Sequence, residues 1–272
     1  MRVGSVELDP IVDAVGELGE LGELYPGVPA EDWEPYRSIY PELFTESRWR
    51  LPCTCYLIRS GGVTVLFDTG VGPPGLWGWV AEEEGGLLPD LAAVGVEPLD
   101  VDAVFLSHLH IDHIGWNTDV AGTPVFPNAR YLIHADGLMW ALTERADAPH
   151  FQRCLRSIIK RRLVDDVAAD EEIAPGLVTV NLPGHLRGHL GLRLGDDALL
   201  IADAAVHPAL LDQPHWLYVS DEDPETSVAT RRSLLPTLVD QDLLVVCGHY
   251  PDGGIGRVRR REDRAVWEPY NV

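Results

Sequence analysis

Apolar runs bounded by glycine, proline and polar residues recur along the chain after residue 50. Runs of this kind that are rich in β-branched and aromatic residues predict β-strands. The segments CTCYLIRS (53–60) and VTVLFDTG (63–70) are separated only by Gly-Gly, which predicts a hairpin with a tight turn. Further strands are predicted at VDAVFLSH (101–108), ARYLIH (129–134), GLVTVNL (176–182), LGLRLG (190–195), ALLIAD (198–203) and DLLVVCGHY (242–250).

Helical periodicity appears between several of these strands. In DPETSVATRRSLLPTLVD (223–240), Asp223 is a good N-cap and Pro224 suits the first helical position. The other predicted helices are LLPDLAAVGV (87–96), ADGLMWALTE (135–144) and the amphipathic stretch HFQRCLRSIIKRRLVDD (150–166). Strands that first come in pairs and later alternate with helices predict an α/β fold, with a mixed sheet covered by helices on its outer faces.

The first 45 residues show no clear period and are predicted to be irregular. They include GELGELGEL (16–24), in which glycine occupies every third position. Because glycine costs about 1 kcal/mol in a helix interior, this repeat favours a docked arm or loop over a helix. The predicted organisation is an N-terminal arm or extension over 1–45 and a single domain over 46–272.

The net charge of the chain limits which kinds of binding partner are expected. Lys and Arg number 21 and Asp and Glu number 43, so the formal net charge of the 272 residues is −22. Such a surface repels phosphate backbones and anionic lipids. The acidic N-terminus does not resemble a signal peptide, and no apolar run approaches the ~18 residues of a membrane span. We therefore expect a soluble, cytoplasmic protein that binds neither nucleic acid nor membranes, and a homodimer is left open.

The four cysteines are too few and too irregularly spaced for a disulfide framework in a chain of this length. Cys53 and Cys55 lie two positions apart in a predicted strand, and so on one face of it. We interpret them as small buried apolar residues, with a metal or redox pair as the alternative.

The segment SHLHIDHIGW (107–116) crowds His108, His110, Asp112 and His113 together directly after an apolar strand. Imidazole nitrogens and carboxylate oxygens are suitable ligands for zinc and related divalent ions. Burying four such groups without a cation would leave costly unsatisfied polar atoms. The spacing therefore predicts a metal site at the end of this strand.

Together with FDTG (67–70), PGH (183–185), IAD (201–203) and CGHY (247–250), this cluster resembles the motifs of the metallo-β-lactamase-fold hydrolases. The resemblance runs in order over roughly residues 50 to 250. It implies an αββα sandwich, in which two mixed sheets flanked by helices hold a two-metal site. Three sets of ligands are implied by position: His108, His110 and His185 for one ion, Asp112, His113 and His249 for the other, and Asp203 bridging both.

The resemblance also implies a supporting role for Asp68, which would hold the metal-binding loop without touching an ion. The alternative is that Asp68 only shapes the D-T-G turn. The cofactors expected are two divalent metal ions per chain, zinc first, with iron, manganese or cobalt as alternatives because their N/O ligand sets overlap.

The implied activity is hydrolysis in which a metal-bound hydroxide attacks a lactone or related carboxylic ester. The alternative is a phosphotriester or thioester hydrolase with the same metal centre, while a β-lactamase or a non-catalytic binding module ranks lower. Asp112 and His207 are the predicted catalytic residues. Lactonases of this family commonly carry a tyrosine three residues beyond the bridging aspartate, where this chain has Val206. We therefore expect His207 to replace that hydroxyl, with a simple turn histidine as the alternative.

Tryptophans near the predicted site are candidate walls of a substrate pocket. Trp77 and Trp79 lie in the Gly/Pro-rich segment 71–86, and Trp116 follows the histidine cluster. Tryptophan is more commonly a core residue, so packing is the competing interpretation. A small apolar acyl or aryl ester is the substrate that such walls would fit.

Overall fold

A computed structural model of the chain describes residues 1–80, 85–262 and 264–270. The strands divide between two sheets in chain order, so that the first half of the chain builds one sheet and the second half builds the other. The strands of the first sheet are β1 Arg2–Val3, β2 Val6–Glu20, β3 Phe44–Thr45, β4 Arg48–Ser60, β5 Val63–Phe67, β6 Ala103–Phe105, β7 Arg130–Ile133 and β8 Val164–Asp166. The strands of the second sheet are β9 Glu172–Ala174, β10 Leu177–Asn181, β11 Leu190–Leu194, β12 Ala198–Leu200, β13 Leu244–Val246, β14 Ile255–Arg261 and β15 Arg264–Pro269.

Both sheets are mixed. The first has the order β1-β2-β4-β5-β6-β7-β8, with β3 beside β4, and its strands are parallel from β5 to β8. The second has the order β15-β14-β13-β12-β11-β10-β9, with β12 and β13 as its parallel pair. The predicted hairpin is present as β4 and β5, which pair antiparallel across Gly61 and Gly62. Parallel neighbours end at the same edge of a sheet, which brings the residues that follow them together.

Alternation along the strands separates the core into layers. In β4 and β5, Ile58 and Phe67 pack with residues of the second sheet, whereas Leu57 and Leu66 pack with the helices outside the first sheet. In the second sheet, Val245 packs with the helices on the other outer side. Successive side chains of a strand point to opposite faces, so each sheet buries both of its faces. The result is the predicted αββα sandwich of two mixed sheets.

Three of the four predicted helices are present, at Leu87–Ala93, Ala135–Thr143 and Pro224–Asp240. The bounds of the described helices are α1 Leu21–Leu24, α2 Glu34–Ile39, α3 Leu87–Ala93, α4 Ala135–Thr143, α5 Pro149–Cys154, α6 Arg156–Lys160, α7 Ala209–Asp212 and α8 Pro224–Asp240. The predicted cap of α8 is confirmed, because the Asp223 side chain accepts a hydrogen bond from Thr226 N. The single helix predicted over 150–166 is wrong, since the segment forms two short helices and then β8.

The sequence suggested that residues 6–20 are irregular, and this prediction is wrong. They form β2, which pairs antiparallel with β4 along almost its whole length. The pairing shifts register between Val12 and Ala14 and again between Glu17 and Gly19. Such shifts mark β-bulges, which accommodate glycine and re-aim side chains. Within GELGELGEL, the strand ends at Glu20 and only Leu21–Leu24 is helical.

None of the helices that the structure describes is both long enough and apolar enough to span a membrane.

Candidate metal centre

All seven predicted metal ligands follow strands at one edge of the sandwich. The histidine cluster comes after β6 in the first sheet, whereas His185, Asp203 and His249 come after β10, β12 and β13 in the second. The turn before His185 needs Gly184, whose φ is +124° and whose added Cβ would lie 2.3 Å from Ser227 N. The two sheets therefore supply ligands from opposite sides of one site.

Three imidazoles and one carboxylate form a first donor set. His110 Nδ1 lies 3.0 Å from His108 Nε2 and 2.9 Å from His185 Nε2. Asp203 Oδ2 lies 3.3 Å from His185 Nε2 and 3.7 Å from His108 Nε2. One donor atom from each of the four residues lies within 4.8 Å of the others, which is compact enough for one ion.

A second donor set shares the carboxylate of Asp203. Its other oxygen, Oδ1, lies 3.4 Å from His113 Nε2 and 3.2 Å from His249 Nε2. Asp112 Oδ2 lies 3.7 and 3.6 Å from the same two nitrogens. Each oxygen of Asp203 thus faces a different group of histidines, which is the arrangement expected of a bridging carboxylate between two ions.

Three of these imidazole rings form hydrogen bonds to the protein through Nδ1, the ring nitrogen that points away from the site. His113 Nδ1 lies 2.8 Å from Asp68 Oδ2, His185 Nδ1 lies 3.0 Å from Asp221 Oδ1, and His249 Nδ1 lies 2.7 Å from the Pro52 carbonyl oxygen. Carboxylate and carbonyl oxygens can only accept, so each Nδ1 carries a proton and each Nε2 faces the site. Partners of this kind fix the orientation of metal-binding histidines.

Asp68 lies beside the histidine cluster. Besides facing His113, its carboxylate accepts hydrogen bonds from Ser107 N and Ser107 Oγ, both at 2.8 Å. Its backbone φ of +59° is in the left-handed region, where a short polar residue is tolerated better than most. Asp68 therefore ties β5 to the loop that carries the histidine cluster.

Asp221 was not predicted from the sequence. Its second oxygen accepts a hydrogen bond at 3.0 Å from Arg231 Nη1, and both side chains are buried. Arg231 also donates to the Pro214 and Trp216 carbonyl oxygens, and so fixes the segment 214–221. The acidic run SDED (220–223) did not indicate that Asp221 is buried beside the site, because its partner Arg231 lies ten residues further along the chain, in α8.

Electrostatics at the site favours a cation. Burial and repulsion from neighbouring imidazoles hold the pKa of His108 and of His110 well below its usual value, so both rings are neutral donors. Burial is the largest single effect on His113 and His249 and opposes their charge, but the combined attraction of neighbouring groups, with Asp203 first and Asp112 among the others, raises the pKa of both. The nearby histidines in turn lower the pKa of Asp203 against the effect of its burial. The potential that attracts protons here also attracts metal ions.

The donor atoms fit a pair of divalent ions. His113 Nε2 and Asp203 Oδ1 are buried and have no hydrogen-bond partner among the described residues. Unpaired buried polar atoms are costly, and a cation between them would satisfy both. Residues present at the site therefore match a dinuclear centre in type, number and direction.

A cavity of about 540 Å³ opens above the two donor sets and has His110, Asp112, His185, Asp203 and His249 in its lining. Most of the remaining lining is apolar or aromatic: Leu18, Trp49, Leu51, Trp79, Ile111, Trp140, Ala148, Leu186, Val206, Tyr218 and Val219. A pocket with apolar walls and a few convergent polar groups is typical of a small-molecule site.

Of the three predicted pocket tryptophans, only Trp79 lines this cavity. Its ring packs on β2 at Gly16, where an added Cβ would lie 2.3 Å from a ring carbon. Trp77 instead donates from Nε1 to the Val71 carbonyl oxygen, and Trp116 donates to Asp13 Oδ1. The Trp77 contact lies within residues 71–80, and Trp116 binds a carboxylate of β2; residues 81–84 of this segment lie outside the described part of the chain.

The structure does not bring His207 to the cavity. Its side chain is fully buried and is surrounded by the rings of Trp33, Tyr40, Phe44 and Trp49. Burial lowers the pKa of His207 to about 3, and its Nδ1 accepts a hydrogen bond from Ala209 N. This arrangement agrees with the alternative interpretation of a turn histidine.

Sequence reasoning missed three aromatic residues of the cavity, Trp49, Trp140 and Tyr218. Trp49 lies on β4 and Trp140 lies on α4. In a strand or a helix, the sequence pattern does not distinguish a tryptophan of the cavity from one of the core. Tyr218 belongs to the segment fixed by Arg231, and its ring stacks on that of His185 at 6.1 Å and 7°. Because Tyr218 lies outside the metal motifs of the sequence, its neighbours along the chain do not indicate that it lines the cavity.

The chain is similar to several known proteins. Residues 48–205 match the model of the metallo-beta-lactamase superfamily. The chain is 31% identical to an N-acyl homoserine lactonase, AiiB, of Agrobacterium fabrum over 193 residues, which are 63% of either protein. It is 26% identical over 219 residues to the N-acyl homoserine lactonase AiiA of Bacillus thuringiensis subsp. kurstaki, covering 73% of this chain and 81% of that one.

Two solved structures show the same fold over the whole chain. One is a hydrolase, AbOPH, in the beta-lactamase superfamily, with a TM-score of 0.85, 21% identity and coverage of 100% of this chain and 97% of that one. The other is AidC, a dizinc quorum-quenching lactonase in complex with its product, with a TM-score of 0.84, 20% identity and the same coverage. With the family model matching more than half of its residues, the chain belongs to the metallo-beta-lactamase superfamily.

Proposed function

We propose that the protein is a dinuclear-metal hydrolase that opens the ring of lactones, with N-acyl homoserine lactones as the first candidates. The observation that carries the proposal is the donor pair bridged by Asp203 beneath a cavity with apolar walls. The curated relatives AiiB and AiiA are N-acyl homoserine lactonases, and AidC was solved with an acyl homoserine product. These relatives support a lactone as the substrate and zinc as the metal.

Side chains of the proposed site can take different roles in hydrolysis. When bound, two divalent ions supply a nucleophile at neutral pH and polarise the substrate carbonyl. The Asp112 carboxylate faces the cavity and can accept the proton that the attacking water loses. Leu18, Leu51 and Trp79 form apolar surface that can bury an acyl chain and exclude water from the reacting carbonyl.

The experiment that tests the proposal compares kcat/KM on lactones, aryl esters, thioesters, phosphotriesters and a β-lactam. We expect the highest value on an N-acyl homoserine lactone, and loss of all hydrolysis after exhaustive chelation with recovery on adding zinc. A higher value on a phosphotriester or thioester would replace the lactone as the substrate class. Undiminished activity in protein shown by elemental analysis to be metal-free would contradict the metal mechanism itself.

We propose Tyr218 as a hydroxyl donor to the substrate, because its side chain lines the cavity and its ring stacks on that of His185. Burial raises the pKa of Tyr218, so the phenol stays protonated and can donate to a substrate oxygen. We expect Tyr218→Phe to lower kcat/KM on the lactone by about 10²-fold, because loss of one such donor has an effect of that order. Steady-state kinetics and metal analysis of the same preparation would check the prediction.

Tyr25→Phe is the matched control for this substitution. The Tyr25 ring stacks on Tyr218 at 5.2 Å, but its hydroxyl is buried without a hydrogen-bond partner among the described residues. Its removal should leave kcat/KM close to wild type. A Tyr218→Phe enzyme within about twofold of the wild type would show that the phenol serves only to pack against His185.

A further inference from the structure

Cys53 is brought by β4 to the edge of the second donor set. Its sulfur, an Asp112 carboxylate oxygen and a His249 ring nitrogen all lie within 4.8 Å of one another. The sequence offered Cys53 and Cys55 as equivalent buried residues on one strand. The structure separates them, because Cys55 belongs to the core beneath the outer helices and is not part of this group.

The surroundings of Cys53 hold its sulfur near these donors. The side chain is 2% exposed, and its sulfur lies 4.0 Å from the Leu51 carbonyl oxygen, too far for a strong hydrogen bond. The residue before it, Pro52, binds His249 Nδ1 through its carbonyl oxygen. The backbone that positions Cys53 therefore also positions the imidazole beside it.

An independent feature indicates that an ion belongs at this place. Asp203 Oδ1 and His113 Nε2 are buried without hydrogen-bond partners among the described residues, and Asp203 Oδ1 lies 3.2 Å from His249 Nε2. An unpaired buried oxygen thus lies beside the same His249 that, with Asp112, has the Cys53 sulfur within 4.8 Å. This is a cluster of donors around one position and not a single isolated thiol.

We propose that Cys53 supplies a sulfur donor to the metal position formed by Asp112 and His249. Sulfur, nitrogen and oxygen donors together suit zinc and cobalt, whereas manganese and magnesium prefer oxygen. The thiol proton leaves to solvent when the metal–sulfur bond forms. Cys53 therefore makes the second position of the centre selective for softer divalent ions.

The inference rests on the dinuclear centre of the proposed function, so its test uses a spectroscopic signal that does not depend on turnover. Metal-free full-length protein is titrated with cobalt(II). Bound cobalt gives visible d–d bands whatever its ligands, and a cobalt–thiolate bond adds a charge-transfer band in the near ultraviolet. We expect both signals in the wild type, loss of only the near-ultraviolet band in Cys53→Ser, and both signals in the matched control Cys55→Ser.

Competition between zinc and manganese gives a second measurement. We expect Cys53→Ser to lower the preference for zinc over manganese by about tenfold or more, as changes next to bound metals commonly do. Visible bands without the near-ultraviolet band in the wild type would overturn the role of Cys53 and leave the metal centre intact. No cobalt bands at all would overturn the centre, and with it both proposals. The wild-type spectrum decides between these outcomes even if Cys53→Ser does not fold.

Discussion

Asp203→Asn is expected to lower kcat/KM on the lactone by about 10³-fold or more and to reduce bound metal from two ions per chain to one or none. The carboxylate has one oxygen facing His185 and the other facing His113 and His249. An amide keeps only one of these acceptors, turns an N–H group toward the other histidines, and removes the negative charge that balances two cations. Elemental analysis and steady-state kinetics on the same samples measure both effects.

Asp196→Asn serves as the control for that substitution. Asp196 lies seven residues earlier, in the turn before β12, and is exposed. The same chemical change there should leave metal content and kcat/KM unaltered. Two tightly bound ions and nearly full activity in Asp203→Asn would contradict the bridging role.

Arg231→Met is expected to destabilise the metal-free protein by about 3–5 kcal/mol, because it leaves the buried carboxylate of Asp221 without its cationic partner and with only His185 as a side-chain donor. It also removes the donors to the Pro214 and Trp216 carbonyl oxygens. Denaturant unfolding of chelated protein measures the change, and chelation avoids the coupling of metal release to unfolding. Metal affinity should fall as well, since Asp221 orients His185.

Two further variants separate the buried charge from packing. Arg232→Met changes an exposed arginine on the same helix and should have little effect on stability. Adding Asp221→Asn to Arg231→Met should recover part of the lost stability, because the unpaired charge is then gone. Equal stability of Arg231→Met and Arg232→Met would show that the ion pair does not hold the segment 214–221.

The parts of the fold and site that could be predicted share a local signal. The β4–β5 hairpin follows from alternation around Gly-Gly, and the α8 cap follows from Asp223 and Pro224. The seven proposed ligands could be found because each follows an apolar strand, and strands that end at one edge bring such residues together. Local pattern and tertiary structure agree at these positions.

β2 could not be predicted, because its sequence contradicts its conformation. Glycine, proline and acidic residues disfavour strands, and only the long pairing with β4 overrides them. Asp13 lies at the first register shift, and its carboxylate accepts hydrogen bonds from Val71 N and Leu87 N at 2.7 and 2.9 Å. A bulge that turns an acid toward a distant loop has no signature in the sequence.

The cavity residues were missed for a similar reason. Tyr218 enters the cavity because Arg231 holds its segment, and Trp116 stays out because Asp13 binds its indole. The segment 150–166 has helical periodicity, yet Val164–Asp166 pairs with β7 at the edge of the first sheet. In each of these cases a partner far along the chain decides where the residue lies, and local composition carries no information about that partner.

The division of the two sheets between the halves of the chain gives the metal centre a mechanical role. His110 belongs to the first half and His185 to the second, and 75 positions separate them. An ion bound by both residues would act as a cross-link that closes a loop of this length. In the chain-entropy model, such a cross-link raises the free energy of the unfolded chain by about 4 kcal/mol. A cell short of the metal would therefore lose folded protein as well as catalytic turnover, since neither half of the chain carries a full set of ligands.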